Sequence, residues 1–264
     1  MKQKILILDG ANLIYRARYS FSNKGDYGVI YSFFRSLRPL VERHQPDRMY
    51  FVLEGTPVAR IARLPTYKAN RVYEKDESFN TQRDRIIEML QHFPVTIIKH
   101  SRHEGDDVIA HLVRYKHPED VCTIISSDTD FIQLVSDNCH LYNPIKKKFI
   151  PKPDYDYLMW KALRGDACDN IPGLPRVGDK TATKLATNPK EFENFFESKP
   201  HLREHYSNNL DLIGFEDVDT TTLEQHECVK NLDIIKSKFT QMGFVSIINE
   251  RPWNKFENTF GGLQ

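Results

Sequence analysis

The sequence predicts an α/β protein: a central, mostly parallel β-sheet flanked by helices, followed by a helical C-terminal part. Three observations carry this expectation. Short apolar runs at Ile5–Leu8, Met49–Leu53 and Val121–Ile125 have the character of buried parallel strands. Helical periodicity fills the intervals, as in Tyr31–Val41 and Val108–Tyr115, and alternating strands and helices imply a parallel sheet with helical crossovers. Beyond about Pro151 the strand signal fades, and the chain reads as helices and loops.

In chain order, the first run enters Asp9-Gly10, a common turn dipeptide, and the second enters Glu54. Residues 64–90 are polar, charged and rich in helix formers, and too long for a simple turn, so a protruding helical insertion is expected there. A fourth candidate strand, Val95–Lys99, precedes His100-Ser-Arg-His-Glu-Gly-Asp-Asp107. The run Val121–Ile125 precedes Ser126-Ser-Asp-Thr-Asp130. The expected division is a core over 1–150, containing the insertion, and a helical part over 151–264. Within the latter, Glu216–Gln225 is acidic and threonine-rich and reads as a loop. No internal repeat is seen, and Lys146–Lys148 is a short like-charge run of the kind usually solvated.

Composition sets bounds. With 264 residues there is room for one large α/β domain with a helical appendage. Lys+Arg 37 against Asp+Glu 36 leaves the chain near neutrality, so the distribution of charge must steer any polyanion. Cys122, Cys139, Cys168 and Cys228 are scattered without a C-x-x-C pair, which argues against a zinc site or a disulfide framework and for a reducing compartment. The apolar run after Met1 is too short for a signal peptide, and no run approaches membrane-spanning length. A cytoplasmic protein with no membrane partner, and a monomer, is expected.

The chemistry is concentrated in Leu163–Ala182. Asp166 and Asp169 stand three apart, a spacing that puts two carboxylates on one helical face, where they can share a divalent cation. A glycine-punctuated turn and a basic helix start follow, offering backbone N–H groups to a phosphate. Metal beside phosphate suggests phosphodiester chemistry. A nucleotide-cradling loop is the rival: Gly173, Gly178, Lys180 and Thr181 nearly spell its pattern, but Asp179 is inserted before the lysine and no strand precedes the loop.

Ligands of open parallel sheets bind beyond the carboxyl ends of the strands. Asp9, Glu54, Glu104, Asp106, Asp107, Asp128 and Asp130 follow four candidate strand ends, and with Asp166 and Asp169 they form one acidic set. Each has a plainer reading. Ser101-x-x-Glu104 matches a capping box, Asp106 and Asp107 suit a helix N-terminus, and Ser127 or Asp128 can cap a helix near Phe131. Caps should be scattered, however, and two like charges at roughly 4 Å cost about 4 kcal/mol at an intermediate dielectric. Divalent ions remove that cost. The set lacks cysteine or histidine with ligand spacing, since His100, His103 and His111 have no partner pattern, so magnesium or manganese is favoured. Two such ions can activate a water and stabilise a leaving oxygen.

At these residues the chain resembles the bacterial and phage 5′-nuclease family, which includes flap endonucleases and the 5′-nuclease domain of DNA polymerase I. The elements agree in order: Ile7-Leu-Asp-Gly10 with Tyr15-Arg16, Tyr67-Lys-Ala-Asn-Arg71, Glu104-Gly-Asp-Asp107, Ser127-Asp-Thr-Asp130, and Gly165-Asp-x-x-Asp-Asn-Ile-Pro-Gly173. The resemblance implies a PIN/5′-nuclease-like fold with a helical arch at about 64–90. It also implies a helix–turn–helix on duplex DNA at about 163–186. It places Asp9, Glu104, Asp106 and Asp128 at a tighter metal site, with Asp107 adjacent, and Asp130, Asp166 and Asp169 at a second. Lys68 and Arg71 match the basic pair at the arch base that orients the scissile phosphate. By the same resemblance, Tyr15, Arg16, Arg176, Gly178, Lys180 and Thr181 are implied as DNA contacts, and the turn over 171–182 as a site that can carry a potassium ion on backbone carbonyls. One departure stands out, because Glu54 occupies a position where the family has aspartate. No polymerase segment follows, which suggests a free-standing, phage-encoded enzyme. The implied activity is metal-dependent 5′-exonuclease and flap-endonuclease action on DNA in replication or repair. The alternatives are an RNase acting on RNA primers and a structure-specific DNA-binding protein that does not cleave.

Overall fold

A computed structural model describes residues 2–21, 25–71 and 76–263. The first half runs β1 (Lys4–Asp9), α1 (Gly10–Phe21), α2 (Gly28–His44), β2 (Arg48–Leu53), α3 (Val58–Arg63), α4 (Glu77–Leu90), β3 (Thr96–His100), α5 (Gly105–His111), β4 (Val121–Ile125), β5 (Cys139–Asn143) and β6 (Lys148–Ile150). There follow α6 (Tyr157–Arg164), the two-residue strands β7 (Gly165–Asp166) and β8 (Ile171–Pro172), α7 (Asp179–Thr187), α8 (Pro189–Ser198) and α9 (Arg203–Ile213). The chain closes with β9 (Leu223–Glu227), α10 (Leu232–Gln241), α11 (Val245–Ile248) and α12 (Glu250–Gly261).

The chain forms two compact units. The first comprises residues 1–55, 75–150 and 218–264. Its sheet has the order β6-β5-β4-β1-β2-β3-β9 among the described residues. The five strands from β5 to β3 in that order are parallel, and the two edges, β6 and β9, are antiparallel. The strand order reverses between β1 and β4, the switch point at which open α/β sheets bind ligands. Register brings the strand ends level there: Leu8 pairs with Ile125, and Asp9 with Val52. β1 passes into α1 without a turn, so Asp9-Gly10 is a strand-to-helix junction, and the plainer reading of it as a turn dipeptide does not hold. Gly10 is needed for close approach, since a Cβ there would lie 2.5 Å from the Val52 carbonyl oxygen and 2.8 Å from the Phe51 ring.

The expected division at residue 150 does not match the packing. Ile235, Phe239, Trp253, Phe256 and Phe260 belong to the same buried cluster as Phe34 and Phe93. Phe34 stacks on Phe93 at 5.1 Å, and Phe239 meets Phe34 edge-on at 5.3 Å. The C-terminal helices are thus core helices of the first unit, tied in by aromatic burial that no short-range pattern announces. The expected loop at Glu216–Gln225 also contains a strand start. β9 pairs antiparallel with β3, Ile98 opposite Gln225, and covers an edge that would otherwise present unpaired backbone groups. Its residues are largely exposed, so they lack the apolar alternation that marks a half-buried strand.

The protruding insertion is also corrected in part. α4 buries Phe79, Ile86, Met89 and Leu90, an apolar stripe within a polar sequence, so residues 77–90 are part of the core unit. Residues 64–70 form tight turns, and 72–75 lie outside the described residues.

The second unit comprises residues 56–74 and 151–217. Leu163, Leu174, Val177, Ala182, Leu185, Phe196 and Tyr206 form its core. Over 163–186, where a helix–turn–helix was expected, the end of α6 and most of α7 are joined by β7, the 3-10 turn Ala167–Asp169 and β8. Arg60, 3% exposed, donates to the carbonyls of Leu212 and Gly214 at 2.9 Å each and ties α3 to the end of α9.

Candidate active site

In the first unit, one hydrogen-bonded network joins the carboxyl ends of β1 and β4. Asp9 is buried, and its Oδ2 accepts from the Ser126 hydroxyl at 2.7 Å while its Oδ1 accepts from the Asn12 backbone N–H at 3.0 Å. The Asp128 N–H donates to the Ser126 hydroxyl oxygen at 3.0 Å, and the Asp130 N–H donates to Asp128 Oδ1 at 2.8 Å. Asn12 spans the junction, donating to the Ser127 hydroxyl at 2.8 Å and accepting from the Ser127 N–H at 3.1 Å. Burial pushes the Asp9 carboxyl up to about 7; the hydrogen bonds from Ser126 and Asn12 pull it down, and the charges of Glu54 and Asp128 push it up again.

The ends of β2 and β3 add to this group. Glu54 follows β2, and its Oε2 accepts from the Gly105 N–H at 2.9 Å, at the start of α5. Glu104, buried, precedes that helix, and its N–H donates to Asp107 Oδ2 at 3.2 Å. The capping box expected from Ser101 is therefore built one turn later, by Glu104 and Asp107. Asp107 is wholly buried and serves the cap, whereas Asp106, in the same first turn, is half-buried. Thr129, not Ser127 or Asp128, precedes the 3-10 turn Asp130–Leu134.

Asp166 and Asp169, in the second unit, do not share a helical face. α6 ends at Arg164, Gly165 adopts φ +72, and β7 pairs with β8. The two carboxylates bracket a 3-10 turn, Ala167–Asp169. A Cβ on Gly165 would lie 2.2 Å from the Gly173 nitrogen, so the glycines at both ends of this loop let its two arms touch. Both acids are charge-paired. Lys161 Nζ lies 2.7 Å from Asp166 Oδ2. Burial pushes the Asp166 carboxyl up, but the Lys161 ion pair and the N–H groups of Cys168 and Asp169 outweigh it and hold it below the ordinary range. Asp169 is buried and pairs with Arg71, with Lys68 Nζ at 3.7 Å, and accepts from the Tyr67 hydroxyl at 3.2 Å. Lys68 sits at φ +54, in the left-handed region, and its N–H donates to the Asp169 carbonyl at 3.0 Å. The expected basic pair is thus gathered on one of the expected metal ligands.

The remaining expected DNA contacts are placed as follows. Tyr15 is 40% exposed on α1, with its ring 5.1 Å from that of Phe79. Arg16, beside it, is half-buried, and burial lowers the pKa of its guanidinium. Arg176 is exposed at φ +63, and Gly178, with open space where a Cβ would stand, precedes Lys180 and Thr181 in the first turn of α7. Sequence reasoning missed Asn12, Ser126 and Lys161 as partners of the acids. Ser126 was legible only as part of an acidic cluster, and Lys161 stands five residues before its partner without a motif.

The first unit carries carboxylates at the switch point of a mostly parallel sheet, and the second carries loop acids paired with cations. The family model for the 5′-3′ exonuclease, N-terminal resolvase-like domain, matches residues 4–158, and the chain belongs to this 5′-3′ exonuclease family. DNA polymerase I of Lactococcus lactis subsp. cremoris is 30% identical over 230 residues, 76% of this chain and 26% of that protein. DNA polymerase I of Mycobacterium bovis is 32% identical over 205 residues, 69% of this chain and 23% of that protein. The chain thus spans about a quarter of the length of these relatives. The fold is shared with the bacteriophage T5 D15 flap endonuclease solved with DNA and metal ions: TM-score 0.67, 22% identity, 81% of this chain and 89% of that one. It is also shared with flap endonuclease-1 from Methanococcus jannaschii, at TM-score 0.62 and 14% identity, over 99% of this chain and 93% of that one. Among the described residues, no helix is long and apolar enough to cross a membrane.

Proposed function

We propose that this chain hydrolyses DNA phosphodiesters at 5′ ends and 5′ flaps, in replication or repair, with magnesium or manganese as cofactor. The observation that carries the reading is the cluster of acids at the strand ends: buried Asp9 held by Ser126 and Asn12, Asp128 held on the same Ser126 hydroxyl, and Glu54 held on the start of α5. Such a set is poorly served by protons alone and well matched to a hard divalent cation, since every candidate ligand is a carboxylate oxygen. Asp9, Glu54, Glu104, Asp106, Asp128 and Asp130 are the oxygen donors of the sheet, and Asp107 holds the helix that carries Asp106. When bound, such ions supply an activated water and charge stabilisation at the leaving oxygen.

The chain's own groups do the rest. Ser126 and Asn12 hold the Asp9 carboxylate in one orientation. Lys68 and Arg71, resting on Asp169, exchange that carboxylate for the scissile phosphate, and Arg71 can grip it by a forked pair of hydrogen bonds. Asp166 and Asp169, paired here with Lys161 and with Lys68 and Arg71, would supply carboxylate oxygens to a further ion. Arg176, Lys180 and Thr181 hold duplex phosphates around the open start of α7, with Gly178 leaving the backbone accessible, and the 171–182 turn would hold a potassium ion that adds positive charge there. Tyr15 and Arg16 contact the DNA near the cut.

The test is a 5′-flap DNA labelled at both ends, incubated in EDTA and then with magnesium. Cleavage near the junction only with magnesium, lost when the 5′ end is blocked, is the expected result. Binding without cleavage in either magnesium or manganese would leave a DNA-binding protein, and preferential cleavage of an RNA strand would make it an RNase. Asp128→Asn and Asp166→Asn should each abolish turnover while binding in EDTA persists.

A further inference from the structure

In the second unit, Asp179 interrupts the basic start of α7, between Gly178 and Lys180, and gripping a duplex gives that carboxylate no role. It does not cap its helix, because the N-cap is Gly178, which has no side chain to offer. The carboxylate pairs instead with Arg164, the last residue of α6, whose Nε donates to Asp179 Oδ1. No second acceptor engages this guanidinium among the described residues. The two side chains are 37% and 72% exposed, so the ion pair contributes little to stability. Arg164 itself is well anchored. A Cβ on Gly173 would lie 2.0 Å from its carbonyl oxygen, and the Leu174 N–H donates to the neighbouring Leu163 carbonyl at 2.9 Å. Its guanidinium lies 6.0 Å over the Trp160 ring, and Trp160 Nε1 donates to the Thr183 hydroxyl of α7 at 3.1 Å. Arg176 and Lys180, close to Asp179 in the chain, are exposed. Asp179 is thus a solvated acid set among cations, and the one it occupies has the planar fork that matches phosphate oxygens.

We infer that Asp179 limits affinity: it competes with a backbone phosphate of duplex DNA for Arg164, which becomes a phosphate contact only when the ion pair opens. The exchange is inexpensive, because a solvated pair is already screened by salt. The duplex is therefore held less tightly than the cations of this segment alone would hold it. The inference rests on the reading of this unit as the duplex grip. Binding of a labelled blunt duplex by the unaltered chain in EDTA tests that reading separately.

The competition is tested by fluorescence anisotropy of that duplex across a potassium chloride series. D179N is expected to tighten binding on the order of three- to tenfold at low salt and to make the plot of log K against log salt steeper by about one. D179S, which keeps a residue suited to a helix start, should show the same gain. D179E keeps the charge and should stay close to the unaltered protein. In D179N/R164Q the added slope and most of the gain should disappear, a coupling that a double-mutant cycle isolates. A purely structural role for the pair has the opposite sign, since its loss would loosen α7 and weaken binding. Unchanged or weaker binding by D179N and D179S would overturn the proposal. So would a gain that persists in full in D179N/R164Q, which would make Asp179 a general repulsive charge and leave Arg164 outside the contact.

Discussion

The Ser126 hydroxyl, at the end of β4, donates to Asp9 Oδ2, at the end of β1, across 2.7 Å. This bond joins the two strands that flank the switch point and orients the buried Asp9 carboxylate. Ser126→Ala leaves a buried carboxylate short of a donor. The expected result is a magnesium requirement for cleavage raised roughly tenfold or more, as for other groups that orient metal ligands. An unchanged magnesium titration would show that Asp9 is positioned by Asn12 and the backbone alone.

Asp9 also predicts a pH dependence. Its carboxyl ordinarily titrates near 3.8 and is pushed up to about 7 by burial, so the folded chain binds a proton more tightly than the unfolded one. The contribution of Asp9 to stability in EDTA is therefore fully present below about pH 4 and falls as pH rises toward 7, where the folded form finally releases the proton. A divalent ion takes the proton's place, so the rise in Tm on adding magnesium should grow through the same window. Asp9→Asn should flatten the EDTA profile and abolish the magnesium increment. Thermal melts with and without EDTA between those pH values decide it.

Lys68→Ala removes one cation from Asp169 and leaves Arg71 in place. The Lys68 contact is long, at 3.7 Å, and Asp169 keeps Arg71 and Tyr67 as partners, so stability should change by about 1 kcal/mol or less. Cleavage should slow by about 10²–10³ if Lys68 supplies charge at the transition state. Single-turnover rates set against duplex affinity separate this from simple tethering, because equal loss of both would make Lys68 a phosphate contact only.

Lys161 is 11% and Asp166 13% exposed at the side chain, so their ion pair is largely shielded from water. Lys161→Ala should destabilise the fold by about 3 kcal/mol in EDTA by stranding a shielded carboxylate. Excess magnesium should recover part of that loss if Asp166 accepts a metal. Urea unfolding with and without magnesium measures both, and no recovery would count against Asp166 as a ligand.

The parallel strands and their acidic ends were legible because burial on both faces leaves continuous apolar runs, and the chain must turn polar where each strand leaves the core. Ile5–Leu8, Met49–Leu53, Val95–Lys99 and Val121–Ile125 all became strands of one sheet. β9 was not legible: an exposed edge strand is chosen by the backbone groups of β3, and its own side chains carry no pattern. Asp166 and Asp169 were legible as chemistry but not as geometry. Spacing of three suits a helix, while the φ +72 of Gly165 and the approach of Gly173 impose a bridged turn.

By itself, the sequence determined the α/β class, the set of carboxylates and the family, since these follow from local hydrophobic runs and from residue types at short spacings. Only the tertiary structure decided that α12 returns to the first core, that Ser126 and Asn12 hold Asp9, and that Lys68 and Arg71 rest on Asp169. Apart from the local bond of Asn12 to Asp9, each of these joins residues from 98 to more than 200 positions apart. Such contacts are selected by packing and electrostatics in the folded chain, and short-range pattern does not encode them.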